Sequence, residues 1–432
     1  MTALGAVLGM ACGAAAADDR PPELTSVAVT ALLDEPYWAE LAEETPAPPP
    51  PAYSWKPYGF LWADMIAASN RTFPGAFTLW VPSASEQGEP AFVIDARRSR
   101  VGLNVGGPGL PAIADSTAGG RIEIDFHGAF NGTENRGGVL LRQAYGEIVS
   151  PEWRFLFGQT DDVISPLNPS TLNYAVGYAA GNVGFRRAQF RIEHYREIAE
   201  GARTIGQFAL NQDVVADFAT DAGIRREPTG WPVSEARVAL EMKTQESGPP
   251  LSFGLSGHIG ATQFDFLTPG PPPNSLPPAD DQQFLSWSFH VDWIVPVSPH
   301  ARLRGEFFHG ANLTSYWGGI GQGVCACLRV PIRSTGGWVE WNWDWNATWH
   351  SAIGYGLDDP LNRDSLIGRV YNQMWFANVW VDVTEKLMTG FEVAVWDTHY
   401  HDLRVGQIPP DQLTPSLPGE SVTVQWTVRY GF

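Results

Sequence analysis

The 432-residue sequence predicts an all-β fold, a transmembrane antiparallel up-and-down β-barrel of about 16 strands. Three observations indicate this fold. Long segments alternate apolar with polar residues, the connections between them alternate between short and long, and the chain contains 18 tryptophans. The 45 glycines and 35 prolines also disfavour long helices, because both residue types destabilise a helix interior.

The alternation is clearest at the C-terminus. Between 422 and 432 the even positions are Val, Val, Trp, Val, Tyr and Phe, and the odd positions are Thr, Gln, Thr, Arg and Gly. Segments 121–127, 339–345 and 371–383 alternate in the same way. A period of two residues separates the side chains of a strand onto two faces. Runs of about 11–14 residues exceed the roughly 5–6 of soluble strands and are typical of strands that cross a membrane.

The connections between the predicted strands differ in length at the two ends of the barrel. Short connections are predicted at 150–152, 197–203, 245–248, 296–299, 345 and 384–386, and long ones at 161–181, 212–231, 263–282, 313–331, 358–368 and 399–420. This asymmetry is typical of short periplasmic turns and long extracellular loops. The strands themselves are predicted at 57–67, 90–105, 119–131, 137–149, 153–160, 182–196, 204–211, 232–244, 249–262, 283–296, 299–312, 332–344, 346–357, 369–383, 387–398 and 421–432.

Two segments precede the predicted barrel. Residues 1–17 are small and apolar and end in an alanine run, as in a secretory signal peptide. Residues 18–52 contain eight acidic residues, one arginine and a proline run, and are predicted to form a periplasmic segment or a disordered tail. The barrel then occupies 53–432 in the outer membrane of a Gram-negative-type envelope, surrounded by lipid and lipopolysaccharide.

The charge of the chain excludes one class of function and suggests another. A net charge of -19 disfavours binding to nucleic acid through bulk charge. Lysine occurs only at 56, 243 and 386, so arginine supplies almost all of the 28 basic residues. A barrel of this size has a water-filled lumen, and inward arginines would attract anions. The residues predicted to line it are Arg97, Arg98, Arg100, Arg121, Arg142, Arg154, Arg187, Arg191, Arg302 and Arg304. The alternative is that these arginines only pair with acids such as Glu123 and Glu193 in a polar interior.

The connection 161–181 is too apolar for a fully solvated loop and contains Pro166 and Pro169. We expect it to fold into the lumen and narrow it, although a lid or a subunit contact would fit the same composition. Its candidate constriction residues are Asp161, Asp162, Asn168, Asn173 and Tyr174.

Signals of catalysis are weak. The sequence lacks a G-x-S-x-G elbow, an H-E-x-x-H motif and a phosphate-binding loop, so we predict no enzyme activity and no cofactor. His399 and His401 near Asp397 have a spacing compatible with metal ligands, but a strand is expected to end there, and no metal site is predicted. Cys325 and Cys327 would form a strained disulfide or half of a metal site, and ordinary loop chemistry is the simpler interpretation.

Several segments resemble one known family. Residues 96–103 (ARRSRVGL), 122–126 (IEIDF), 140–147 (LLRQAYGE), 157–160 (FGQT) and 184–192 (GFRRAQFRI) are similar to the DcaP-like outer-membrane porins. The resemblance implies a 16-stranded trimeric channel that takes up small organic anions, including dicarboxylic and aromatic acids. It also implies that inward arginines and the infolded loop after the fifth strand shape the constriction, a role that falls to Arg97, Arg98, Arg100, Arg142 and Arg187. The proline-rich N-terminal segment departs from the family, since it is too short for the usual coiled-coil stretch.

The sequence therefore predicts a homotrimeric outer-membrane porin. It would give small anionic solutes, carboxylates among them, diffusive passage through an arginine-lined lumen that loop 161–181 narrows. Two alternatives remain at this stage. One is a structural or adhesive barrel plugged by its loops, and the other is a barrel-embedded hydrolase.

Overall fold

The computed structural model describes residues 53–86, 88–113, 115–128, 136–214, 224–245, 248–270, 274–402 and 417–432. The predicted signal peptide 1–17 and the acidic segment 18–52 lie outside the described residues. Among the described residues there is one short 3₁₀-helix, Thr314–Tyr316, and no α-helix. No described helix is long and apolar enough to cross a membrane.

Eighteen strand segments join into one closed antiparallel sheet. Two wall strands consist of two segments each, so the wall has 16 strands. They are β1 (Ser54–Ala68), β2 (Ala91–Asp95 and Arg100–Gly109), β3 (Thr117–Asp125), β4 (Leu140–Val149), β5 (Trp153–Asp161), β6 (Arg186–Ala199), β7 (Ala202–Asn211), β8 (Ile224–Pro228 and Val233–Met242), β9 (Leu251–Phe266), β10 (Ala279–Ser298), β11 (Ala301–Ala311), β12 (Arg333–Asp344), β13 (Trp349–Pro360), β14 (Ile367–Asp382), β15 (Leu387–Asp402) and β16 (Gly419–Gly431).

The barrel closes through β1 and β16. Their register pairs Phe60 with Gly431 and Ala68 with Thr423, and β1 pairs on its other side with both segments of β2. Every neighbour in the wall is antiparallel, as an up-and-down barrel requires. Closure removes the unpaired sheet edge that a membrane interior does not tolerate.

The predicted fold class is confirmed, and the differences lie at strand ends. β3 ends at Asp125 instead of 131, whereas β10 begins at Ala279, four residues before the predicted start. β8 gains an upper segment, Ile224–Pro228, because these residues pair with 262–266 of β9. Hydrogen bonding to a neighbour sets these boundaries, and side-chain periodicity does not report it.

The two faces of the strands match the predicted alternation. In β16, Val422, Val424 and Trp426 are 42%, 36% and 48% exposed, whereas Gln425 and Thr427 are buried. Large apolar side chains therefore project outward, where they would meet lipid, and polar side chains project into the lumen.

Aromatic side chains cluster outside the barrel at the end that carries the short turns. This position is typical of the girdle that a membrane barrel places at the lipid–water interface. The exposed members are Tyr53, Trp55, Trp153, Trp345, Trp349 and Phe432.

Three long loops fold inward from the opposite end. They are 69–90, 162–185 and 312–332, and each buries an apolar residue completely or nearly so: Leu79, Leu172 and Ile320. The first and third of these loops each contain a small hairpin. In loop 69–90 it pairs Phe73–Pro74 with Thr78–Trp80, and in loop 312–332 it pairs Val324–Cys325 with Val330–Pro331. The lumen therefore contains a second, apolar layer inside the polar lining of the wall.

Candidate functional site: the infolded loop and the arginine wall

The infolded loop (162–185) follows the inside of the wall in chain order. It begins beside β6, where Asp162 accepts hydrogen bonds from Arg187 at 2.6 and 2.9 Å. It then passes β8, β10, β11, β12, β14, β15 and β16 in turn, and reaches β3 and β4 at Tyr174. Thirteen residues thus make most of a circuit of the lumen, from Asp162 to Tyr174.

Buried glutamates fasten the loop through its backbone. The amide N–H groups of 163, 167, 170 and 172 donate to wall carboxylates at 2.7 or 2.8 Å. A loop inside a barrel must satisfy its backbone polar groups without regular pairing, and a carboxylate is a strong acceptor for this purpose. The four acceptors, each at most 3% exposed, are Glu235 of β8, Glu306 of β11, Glu340 of β12 and Glu392 of β15.

A chain of serines and histidines adds a further attachment near β10. The hydroxyl of Ser165 lies 2.9 Å from His290 Nδ1, and His290 Nε2 lies 2.6 Å from the hydroxyl of Ser288. The chain continues through His258 to Ser286. These uncharged groups connect the infolded loop to two wall strands within a buried region.

Glycines allow the returning part of the loop to lie against the wall. Gly181 has a φ of +107°, and a Cβ there would stand 2.1 Å from the carbonyl oxygen of Gly337 in β12. A Cβ at Gly356 in β13 would stand 2.3 Å from the carbonyl oxygen of Ala180. Only glycine fits so close an approach of loop and wall.

The opposite side of the lumen carries one arginine on each of five successive strands. We call this set the arginine wall: Arg100, Arg121, Arg142, Arg154 and Arg191. Arg142 donates to Glu123 at 3.1 Å and to Asp125 at 2.8 Å, and Arg154 donates to Glu147 at 2.6 Å.

Burial differs within these ion pairs. The side chain of Arg100 is 20% exposed and that of its partner Glu123 is 5% exposed. The side chains of Arg142 and Arg154 are 12% and 11% exposed, whereas those of Asp125 and Glu147 are 0% and 3% exposed. The carboxylates lie behind and the guanidinium groups lie in front, so the surface toward the lumen is cationic although Arg100, Arg142 and Arg154 are paired with acids.

The remaining predicted arginines occupy other environments. Arg98 is 3% exposed and donates to the carbonyl of Leu172, and Arg304 is 2% exposed and donates to the carbonyl of Asn168. Arg187 is also buried and contacts the infolded loop, as described above. Arg97 pairs with Asp95, and Arg302 pairs with Asp344 near the short turns. Three of these five therefore hold the loop.

The predicted constriction residues lie in or beside the infolded loop. Asp161 is the last residue of β5, not a loop residue, because Asp161 pairs with Arg186 of β6. Asn168 Oδ1 accepts a hydrogen bond from Asn182 within the loop. Asn173 joins two loops, since its amide bonds both the N–H and the carbonyl of Thr78.

Tyr174 is the point at which the infolded loop meets the arginine wall. Its hydroxyl donates to Asp125 at 2.8 Å and accepts from Arg142 at 3.3 Å. Burial raises the pKa of the Tyr174 phenol to about 12, so the group keeps its proton at neutral pH and remains a donor. Two residues on, Val176 has a φ of +44°, which is unusual for a β-branched residue.

Sequence reasoning missed the glutamates that hold the loop. Glu235, Glu306, Glu340 and Glu392 share the inward parity of the arginines, and their alternation with apolar neighbours is visible in the sequence. Parity identifies the face but not the partner, so these residues could only have been classed as lumen acids.

The residues considered for metal or redox chemistry lie in β15 and in loop 312–332. His399 Nε2 lies 3.0 Å from Asp397, and the side chain of His401 is outside the described residues. Cys325 and Cys327 are both free and buried at the hairpin of loop 312–332. A hydrogen bond from Cys327 lowers the pKa of the Cys325 thiol to about 6.

A closed 16-stranded wall with a long loop folded into its lumen is the architecture of the outer-membrane porins. In fold the chain is similar to the outer-membrane channel DcaP of Acinetobacter baumannii, with a TM-score of 0.66 and 15% identity over 88% of this chain and 98% of that one. The expected resemblance to DcaP-like barrels is confirmed at the level of the fold.

Two other outer-membrane proteins share the fold. An anion-selective porin from Comamonas acidovorans aligns with a TM-score of 0.53 and 11% identity over 88% of this chain and all of that one. OmpT, an outer-membrane protein of Vibrio cholerae, aligns with a TM-score of 0.52 and 10% identity over 89% of this chain and all of that one. The chain matches no protein-family model and no curated protein sequence.

Proposed function

We propose that this protein is an outer-membrane porin that gives small anionic solutes, carboxylates in particular, diffusive passage between the infolded loop and the arginine wall. The observation that carries the proposal is the burial order within the ion pairs, with carboxylates behind and guanidinium groups in front. A solute in the lumen would meet the cationic side of each pair. The fold it shares with the channels described above supports transport as the general role.

Arginine suits this role because its planar fork of donors matches a carboxylate and stays charged at every physiological pH. The arginine wall spans five strands, so an anion leaving one guanidinium group would find the next at a neighbouring strand. Weak binding at several sites in succession favours passage over retention. The protein would act as a homotrimer, as the resemblance implies, and would need no cofactor.

The test is the reversal potential of the refolded protein in a planar bilayer under a KCl gradient. We expect a reversal potential that favours chloride, and a clear shift toward potassium in the double variant Arg100→Gln with Arg121→Gln. Both arginines lie at the lumen, and Glu123 would keep its bonds from Arg142 and Tyr58.

The matched control is Arg71→Gln with Arg225→Gln, which removes the same charge from side chains that are 51% and 60% exposed. An equal shift in both double variants would reject the arginine wall as the source of selectivity. An absence of any conductance would instead favour the alternative of a barrel plugged by its loops, since three loops enter the lumen.

A further inference from the structure

Tyr174 differs from its neighbours in the infolded loop because it hydrogen-bonds β3 and β4 in the middle of the arginine wall. The residues before it are attached to the side of the lumen from β8 to β16, which the infolded loop covers. The carbonyl of Leu172 accepts from Gln425 at 3.0 Å, and its N–H donates to Glu392 at 2.7 Å. Tyr174 then reaches β3 and β4 through a single hydroxyl.

The ring of Tyr174 is also held from the side. It lies 4.0 Å from the ring of His127 and 5.1 Å from that of Phe77, measured between centroids. His127 follows β3, and Phe77 belongs to loop 69–90. The phenol therefore lies where the infolded loop, loop 69–90 and the arginine wall meet.

We infer that Tyr174 sets the size limit of the pore by fastening the tip of the infolded loop to Asp125 and Arg142. The inference rests on the proposed function and deepens it. The hydroxyl bridges an ion pair, so its two hydrogen bonds are charge-assisted and stronger than neutral ones. While these two bonds hold, Tyr174 stays against the arginine wall, and a solute must pass beside the Tyr174 ring.

Tyr174 is a positioning residue in this scheme, since Arg142 and its neighbours supply the charge. The bridge also limits the motion of Arg142, which binds Glu123, Asp125 and Tyr174 together. Loss of the hydroxyl would leave the ion pairs intact and would detach the infolded loop from β3 and β4 at this point. The width of the pore and its charge selectivity can therefore be changed and measured separately.

The experiment compares Tyr174→Phe with the wild type in single-channel recordings in KCl, and in reversal potentials with potassium gluconate on one side. We expect brief openings to a larger conductance to become at least about tenfold more frequent, because the substitution removes both charge-assisted hydrogen bonds of the hydroxyl. The permeability of gluconate relative to chloride should rise. Preference for anions over potassium should stay near its wild-type value.

The control is Tyr178→Phe in the same loop. The ring of Tyr178 stacks near Trp317 of loop 312–332. This substitution should leave the recordings unchanged. A second measurement repeats Tyr174→Phe in an Asp125→Ala background, where the bridge is already broken. There the phenylalanine substitution should have a clearly smaller effect than in the wild type, because only the bond from Arg142 is left to lose; a general loosening of the loop would give the same effect in both backgrounds.

A Tyr174→Phe channel that conducts like the wild type, or an effect of equal size in the Asp125→Ala background, would overturn the inference and leave the porin proposal standing. Failure of the proposal itself would appear earlier, as a wild-type protein without conductance or without preference for chloride.

Discussion

The two sides of the lumen use the same residue types for opposite purposes. On the covered side, from β8 to β16, inward glutamates bind the amides of the infolded loop and are sealed beneath it. On the arginine wall, from β2 to β6, inward acids bind arginines that remain partly exposed to the lumen. A buried carboxylate thus fixes a loop on one side and fixes the orientation of a cation on the other.

The two kinds of charged group differ in their access to water, and therefore in what a substitution would change. A sealed carboxylate has no water to replace a missing partner, so its bonds matter mainly for stability. A guanidinium group at the lumen keeps water on one side, so its removal affects the electrostatic field more than the fold. The comparison predicts that substitutions on the two sides separate into stability effects and selectivity effects.

The largest effect is expected at the root of the infolded loop. Arg187→Leu would leave Asp162 buried without its bidentate partner, which typically costs about 3–5 kcal/mol. Urea unfolding of the refolded barrel in detergent measures this loss. Adding Asp162→Leu should restore much of the stability, because two apolar residues leave no buried charge. A double variant no more stable than Arg187→Leu would contradict this account of the pair.

A smaller loss is expected on the covered side. Glu392→Ala would remove the acceptor of Thr171 and of the Leu172 N–H, and the buried Leu172 N–H left unsatisfied would cost about 1–3 kcal/mol. The same unfolding measurement applies, and the channel should also show a larger, noisier conductance because the loop loosens. Glu392→Gln keeps one oxygen acceptor, so its stability should lie between that of the wild type and that of Glu392→Ala. An unchanged unfolding midpoint in Glu392→Ala would mean that the loop needs no such anchor.

The smallest loss of stability is expected on the arginine wall. Arg100→Gln should cost about 1 kcal/mol or less, since the side chain is partly exposed and Glu123 retains the bond from Arg142. Its reversal potential should nevertheless move toward potassium. A loss of stability as large as that of Glu392→Ala would remove the distinction between the two sides.

The wall was predictable because one physical rule generates it. Strict alternation in segments such as 422–432 defines a face for lipid and a face for water, and closure follows from the need to pair every edge. Strand ends were less predictable, as the extra segment Ile224–Pro228 illustrates. Most of its pairing partner, 262–266, lies in the segment 263–282 that the pattern alone assigned to a loop.

The sequence predicts which side chains of the site face the lumen, but not which residues they contact there. Arg142 and Arg304 have the same inward parity, yet one lies at the arginine wall and the other is buried beneath the infolded loop. In β14 the period of two gives apolar residues on both faces, and the inward Trp380 is buried in a cluster with Leu172 of the loop. The course of the loop decides these cases, and no local pattern encodes it.

The circuit of the infolded loop also constrains the order in which the molecule assembles. The loop follows the fifth strand, but its anchors come from strands synthesised much later, and the bond between Leu172 and Gln425 spans 253 positions. Contacts of such long sequence separation form late, because the intervening chain must first be ordered. The infolded loop therefore cannot complete its circuit before β16 has been synthesised, and the lumen reaches its final width only when almost the whole wall is present.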